Sequence, residues 1–135
     1  MPFSYSRSVR FADTDAAGVV FFANYLALCH EAYEEALAAA GLDLRTFFAA
    51  HAVVVPIAKS DAAYLRPLFP GNKLRVTVTP TALTPESFAL AFEIFRVGPP
   101  EKLAARARTE HVCVAAQTRQ RQPLPPALAA WVNAG

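Results

Sequence analysis

The chain has 135 residues, 54% of them hydrophobic and 18% charged, which excludes a disordered or merely solvating segment for most of its length. Thirteen Lys and Arg against eleven Asp and Glu leave a formal charge of +2, and the basic residues are scattered between Arg7 and Arg121. That is no electrostatic footprint for nucleic acid.

A chain of this size buries about two thirds of its unfolded surface, enough for a core without disulfide or metal staples, so one domain over 1–135 is expected. Cys29 and Cys113 make no disulfide framework and no leader-like segment precedes the first strand, which points to a reduced, cytoplasmic protein. No membrane partner is expected, because neither Ala16–Ala23 nor Val53–Ala58 approaches the roughly 18 apolar residues of a span.

Ser4 to Phe11 alternates loosely as a strand and leads into Ala12-Asp-Thr-Asp-Ala-Ala-Gly18, a turn-rich acidic loop. A long helix follows, with Asn24 as N-cap, Gly41 just past its end, and Ala, Leu and Glu between them. Its polar residues His30, Glu31, Glu34 and Glu35 fall within about 140° of arc. The wide remaining face, with Tyr25, Leu26, Leu28, Cys29, Ala32, Tyr33, Ala36 and Leu37, requires something to wrap it.

A short helical turn over Leu44 to Ala50 precedes four strands at about Val53 to Leu65, Lys73 to Leu83, Ser87 to Val97 and Lys102 to Ala115. Leu74, Val76 and Val78 alternate with Lys73, Arg75 and Thr77, the period of a half-buried strand. Turn residues at Phe69-Pro-Gly-Asn72 and Val97-Gly-Pro-Pro-Glu101 suggest antiparallel hairpins between consecutive strands. The pattern is α+β, one long helix cradled by an antiparallel sheet.

Several chemistries drop out. No serine lies in a glycine-flanked elbow and no Gly-rich loop carries a phosphate-binding Lys. His30-Glu-Ala-Tyr-Glu34 has the start of a zinc-protease helix, but Glu34 stands where the second imidazole belongs, so no metal is expected. Cys29 and His30 are helix neighbours and diverge by about 100°, which separates them as thiol and base. His51 and His111 read as loop and strand residues.

What remains is Asp13-Thr-Asp15 just before the helix start. Either the two carboxylates stabilise the turn and the helix dipole, or one acts as base or nucleophile while free backbone N–H groups polarise a carbonyl.

The run Val9-Arg-Phe-Ala-Asp-Thr-Asp-Ala-Ala-Gly-Val-Val-Phe-Phe-Ala-Asn-Tyr25 resembles the signature of the 4-hydroxybenzoyl-CoA thioesterase family of hotdog-fold enzymes. The resemblance covers nearly the whole chain. Through Cys29-His-Glu-Ala-Tyr-Glu34, Ala107-Arg-Thr-Glu-His-Val-Cys-Val-Ala115 and Gln122-Pro-Leu-Pro125 it extends to the branch acting on 1,4-dihydroxy-2-naphthoyl-CoA.

It implies a five-stranded antiparallel sheet wrapped around one helix, and a hydrolase of an aromatic acyl-CoA in which CoA belongs to the substrate and no cofactor is needed. The catalytic role falls on Asp15, with Asp13 as structural partner, and substrate binding on Gly18, Phe22 and Tyr25. A backbone N–H at or near Phe22 would hold the thioester carbonyl. Some relatives instead place a catalytic Glu on the long helix, where Glu31 or Glu34 would be the candidates, but the intact Asp loop favours Asp15.

The resemblance also implies a homotetramer with active sites at dimer interfaces. Apolar residues such as Phe88, Leu90, Phe92, Ile94 and Phe95, which one sheet layer would leave bare, point the same way.

Some relatives carry basic residues between the third and fourth strands, where this chain has Leu83-Thr-Pro-Glu86. Arg66, Lys73, Arg119 and Arg121 are the alternatives for the CoA phosphates. Phe21, Phe22, Tyr25 and Phe48 are candidates to stack on a flat acyl ring. Rival readings are a non-catalytic acyl-CoA binder and an acyl dehydratase, the latter hampered because His30 lies more than a turn inside the helix.

Overall fold

A computed structural model describes residues 2–134. Strand β1 (Phe3–Ser8) leads through a 3-10 turn (Phe11–Asp13) and a hairpin-like loop into helix α1 (Phe22–Ala39). Helix α2 (Phe47–Ala50) and β2 (Val53–Val54) precede β3 (Ile57–Tyr64), β4 (Lys73–Thr84), β5 (Ser87–Arg96) and β6 (Lys102–Val112). Strand β7 (Val114–Ala115) and helix α3 (Pro126–Ala134) complete the chain. Among the described residues no helix is long and apolar enough to cross a membrane.

Five strands form one antiparallel sheet in the order β1-β4-β5-β6-β3, curled around α1 as expected. Tyr25, Leu28, Cys29, Ala32, Tyr33, Ala36 and Leu37 are buried, while His30, Glu34 and Glu35 stay exposed, so the helical wheel is realised. The alternating Leu74, Val76 and Val78 of β4 are 0–1% exposed and pack in the same core. Gly41 ends α1 with φ +84°; its N–H donates to Ala38 and that of Leu42 to Leu37. This double closure of the last turn is open to glycine because it lacks a Cβ.

Four expectations are corrected. The strand expected over Val53 to Leu65 breaks at Pro56, and the one over Lys102 to Ala115 breaks at Cys113; the short pieces β2 and β7 pair with each other. β3 does not hairpin onto β4. The Arg66–Asn72 connection passes beneath the start of α1, where Leu68 is fully buried and accepts from Val20 N, and β3 pairs with β6 at the far edge.

Helix α3 was not anticipated. Pro126 at its first position and the i, i+4 pair Leu128 and Val132, both buried, are its signals. Finally, Phe88, Leu90, Phe92 and Ile94 are covered within one chain and Phe95 lies under the Arg75 guanidinium at 4.5 Å, so these residues need no partner subunit.

Candidate active site

The loop before α1 is a narrow antiparallel ribbon. Asp15 N donates to Val19 O (3.0 Å), Phe21 N to Asp13 O (3.0 Å), and Thr14 bridges Val20. At its tip Gly18 N returns to Asp15 O (3.0 Å) with Gly18 at φ +82°, a conformation that suits glycine. Val20 and Phe21 separate the Asp15–Val19 pair from the helix start at Phe22, about 10 Å at the rise of a strand.

The two carboxylates have different surroundings. Asp13 Oδ2 accepts from the Arg7 guanidinium and from Arg10 N (2.7 Å). Arg7, whose side chain is 8% exposed, also clasps Glu31 with two bonds of 2.8 and 2.9 Å, and Tyr5 Oη donates to the same carboxylate at 3.0 Å. These bonds fasten β1, the 3-10 turn and α1 together and occupy both Asp13 and Glu31. Tyr5 is held above the ordinary phenol range, chiefly by desolvation and then by its bond to Glu31. Glu34 is exposed and faces His30 at 3.4 Å.

Asp15 differs in kind. It is exposed, no Lys or Arg pairs with it among the described residues, and one of its oxygens accepts Ala17 N (2.9 Å). The other oxygen is free to act.

Helix α1 begins three residues earlier than expected, with Phe21 as N-cap and no side chain capping it. Asn24, expected as N-cap, lies in the first turn and donates its Nδ2 to Asp13 O (2.9 Å), locking helix to loop. Among the described residues the N–H groups of Phe22 and Ala23 meet no acceptor, as follows for the first donors of an uncapped helix. They form a ready electrophilic site for a carbonyl oxygen.

Beside this start lies a groove of about 330 Å³ lined by Val20, Phe22, Tyr25, Tyr64, Leu65, Arg66 and Pro67. Tyr64 meets Tyr25 edge-on at 4.9 Å and Phe22 at 6.4 Å, and Phe21 meets Phe22 at 4.9 Å.

Of the expected binding residues, Phe22 and Tyr25 line this groove; Asp15 and Gly18 stand outside its walls within one chain. Phe48 belongs elsewhere, against Phe47 in a separate hollow of about 320 Å³ beside Leu37 and Leu44. Its place among the aromatics is taken by Tyr64, which the sequence reading missed. Its signal was an aromatic at the end of a strand, next to a Pro-containing turn.

Of the four candidate cations only Arg66 lines the groove, steadied by a 2.6 Å bond from Nη1 to Leu103 O. Arg121 faces Glu86 at 3.6 Å, and Lys73 opens on a different surface beside Arg7. Burial pushes the Cys29 thiol up to about 12, which leaves it inert as a nucleophile.

Residues 9–132 match the model of the thioesterase-like superfamily. A 1,4-dihydroxy-2-naphthoyl-CoA hydrolase of Thermosynechococcus vestitus is 47% identical over 96% of this chain and 87% of its own. One of the same name from Rippkaea orientalis is 43% identical over 96% and 94%. The crystal structure of a 1,4-dihydroxy-2-naphthoyl-CoA thioesterase from Synechocystis superposes with a TM-score of 0.92 at 34% identity, covering 98% of this chain and 96% of that one. With a family model spanning nearly all of it and relatives this similar, the chain belongs to the thioesterase-like superfamily, in the hotdog fold.

Proposed function

We propose that this chain is an acyl-CoA thioesterase that hydrolyses 1,4-dihydroxy-2-naphthoyl-CoA to 1,4-dihydroxy-2-naphthoate and CoA, a step of phylloquinone or menaquinone synthesis. The observation that carries the chemistry is the contrast between Asp13, tied to Arg7, and Asp15, which keeps a free oxygen on the ribbon that leads into an uncapped helix start. The relatives' activity and the aromatic groove support the substrate.

The thioester carbonyl oxygen takes the N–H of Phe22 or Ala23, and the flat ring lies against Phe22, Tyr25 and Tyr64. Asp15 either takes a proton from water as the water's oxygen attacks the carbonyl carbon, or attacks it directly. In both routes the negative charge builds on the oxygen facing the helix, the C–S bond breaks, and CoA leaves as its thiolate. Arg66 offers a cation to the CoA phosphates. Gly18 shapes the turn that presents Asp15.

The assembly is proposed as a homotetramer with active sites at dimer interfaces. Supporting it are the solvent-facing β3 edge and the exposed Phe22, Ile57, Tyr64 and Leu65 around the groove. The cell compartment is proposed as cytoplasmic, in keeping with two free, buried cysteines.

Asp15→Asn tests the chemistry. It keeps the shape and loses the basicity, so turnover of 1,4-dihydroxy-2-naphthoyl-CoA in a thiol-release assay is expected to fall at least about 100-fold with binding retained. Unchanged rates would overturn the assignment, and an inactive wild type would favour an acyl-CoA binder. Faster cleavage of benzoyl- or butyryl-CoA than of the naphthoyl ester would discard the substrate and leave the chemistry.

A further inference from the structure

The registers of the sheet line up one row of residues at the end where the Arg66–Asn72 connection passes beneath α1. Arg7 of β1 stands opposite Leu74 of β4, Leu74 opposite Arg96 of β5, and Arg96 opposite Lys102 of β6. Residues directly opposite on neighbouring strands point to the same face, and Leu74, 1% exposed, identifies that face as the one turned to the core. The rim of the inner face therefore carries Arg7, Arg96 and Lys102.

Only Arg7 has counter-charges there. It is held by Asp13 and Glu31, whereas among the described residues no carboxylate pairs with Arg96 or Lys102. Glu101, the acid on the turn between them, is engaged by Arg75, whose guanidinium lies over Phe95 on the outer face. Arg96 and Lys102 are both half-buried, and like charges placed directly opposite each other oppose the pairing of their strands. The arrangement is unfavourable by itself and becomes favourable once an anion lies across it.

A further cation links this pair to the groove beside the helix start. Leu65 N and Arg66 N both donate to Ala104 O (2.8 and 3.0 Å), and Arg66 Nη1 donates to Leu103 O (2.6 Å), the carbonyl of the residue after Lys102. Arg66 also lines the groove, has no carboxylate partner among the described residues, and keeps its other guanidinium donors for a ligand. Groove, Arg66, Lys102 and Arg96 thus follow one another along one rim. Arg supplies a planar fork for two phosphate oxygens and Lys a compact point charge, so the series suits an ion with several phosphates.

We propose that Arg96 and Lys102, joined to the groove by Arg66, form the subsite for the phosphates of the CoA nucleotide, its diphosphate and its ribose phosphate. The inference rests on the acyl-CoA thioesterase reading and assigns, within it, the residues that hold the unreactive end of the substrate. None of them faces the scissile bond, so their contribution is to binding.

The test compares two thioesters of 1,4-dihydroxy-2-naphthoate, one with CoA and one with N-acetylcysteamine, which carries no phosphate. In Arg96→Gln/Lys102→Gln, kcat/KM for the CoA ester is expected to fall at least about tenfold, through KM, while that for the N-acetylcysteamine ester stays within about twofold. A parallel fall for both esters, or no change in either, overturns the proposal. Because the two cations repel each other, their removal should also leave the urea midpoint unchanged or raised; a lowered midpoint would make the pair structural and overturn the subsite. Arg106→Gln removes a cation from the outer face of β6 and should alter neither ester. A fall matching that of the double variant would make net charge the cause and overturn the subsite as well.

Calorimetry with 3′-phospho-ADP gives a second readout that needs no turnover. The wild type is expected to bind this nucleotide, more weakly as salt is raised, and the double variant to bind it at least about tenfold more weakly. No binding to the wild type, or equal binding to both proteins, overturns the subsite. Binding that depends on the pair in a protein that cleaves no aryl-CoA would instead retain the subsite and reject the thioesterase reading.

Discussion

The two edges of the sheet are finished in opposite ways. At the β1 edge, Tyr5 and Arg7 reach across to Glu31 on α1 and to Asp13, so strand, turn and helix are bonded into one unit. At the β3 edge seven of eight residues are exposed, and two hollows lie between β3 and α1. The closed edge holds the Asp13–Asp15 loop in place, whereas the open edge leaves apolar surface bare, where the proposed function puts substrate and a second subunit. Rigidity and access are thereby assigned to opposite sides of one helix.

The largest expected effect lies behind the open edge. His111 has a pKa of about 4 in the fold, below the ordinary 6.5, because burial and then the nearby His30 oppose its charge. Thr109, Tyr33 and Phe88, which touch its ring, offer no compensating charge. Between pH 6.5 and 4 the unfolded chain binds a proton that the folded chain refuses, so stability falls as pH falls through that window. The span amounts to up to about 3 kcal/mol. Urea midpoints from pH 7 to pH 4 should decline less in His111→Phe than in the wild type; parallel declines would remove His111 as the cause.

Breaking the closed edge should cost slightly less. Arg7→Leu leaves Asp13 and Glu31 without their shared cation, and since Glu31 is partly solvated the loss of stability should be about 2–3 kcal/mol. Thermal or urea unfolding checks it. Turnover should also fall in the folded variant, because the ribbon carrying Asp15 loses its anchor, whereas Arg75→Leu, at an exposed pair with Glu101, should leave both quantities nearly unchanged.

How far the sequence carries such conclusions depends on the range of the interaction. Helix α1 was legible because an amphipathic period repeated over five turns, and Gly41 marked its end. The Asp loop was legible as a motif, and its neighbours on the chain stayed its neighbours in space. Tyr64 against Tyr25, Arg7 between Asp13 and Glu31, and His111 behind Leu26 were not, since each joins elements far apart in sequence. The position of β3 was missed for the same reason: turn residues at 69–72 announce a turn without saying which strand the chain meets next.

The open edge can be challenged directly. Ile57 is 46% exposed at the start of β3, and Ile57→Lys places a charge where the proposed assembly buries apolar surface. The wild type should scatter light as a species well above 14.6 kDa, and the variant should dissociate at concentrations at least about tenfold higher, a shift of about 1.4 kcal/mol. A wild type at 14.6 kDa would leave the β3 edge without a subunit to cover it and return the groove to a single chain.

The smallest effect separates two roles for Gly18. The resemblance makes it a substrate contact; the structure gives it φ +82° at the tip of the ribbon, with open space where a Cβ would stand. If the backbone alone matters, Gly18→Ala should cost roughly 1 kcal/mol of stability, because a left-handed conformation is strained for alanine. Gly18→Asn should cost less, since asparagine tolerates that conformation. Turnover should follow the same order, as the strained turn shifts Asp15 relative to the helix start, and KM should change little in either variant. A contact role predicts the reverse order, with the bulkier asparagine raising KM most, so kcat and KM measured on the two variants distinguish a residue that presents the carboxylate from one that touches the acyl-CoA.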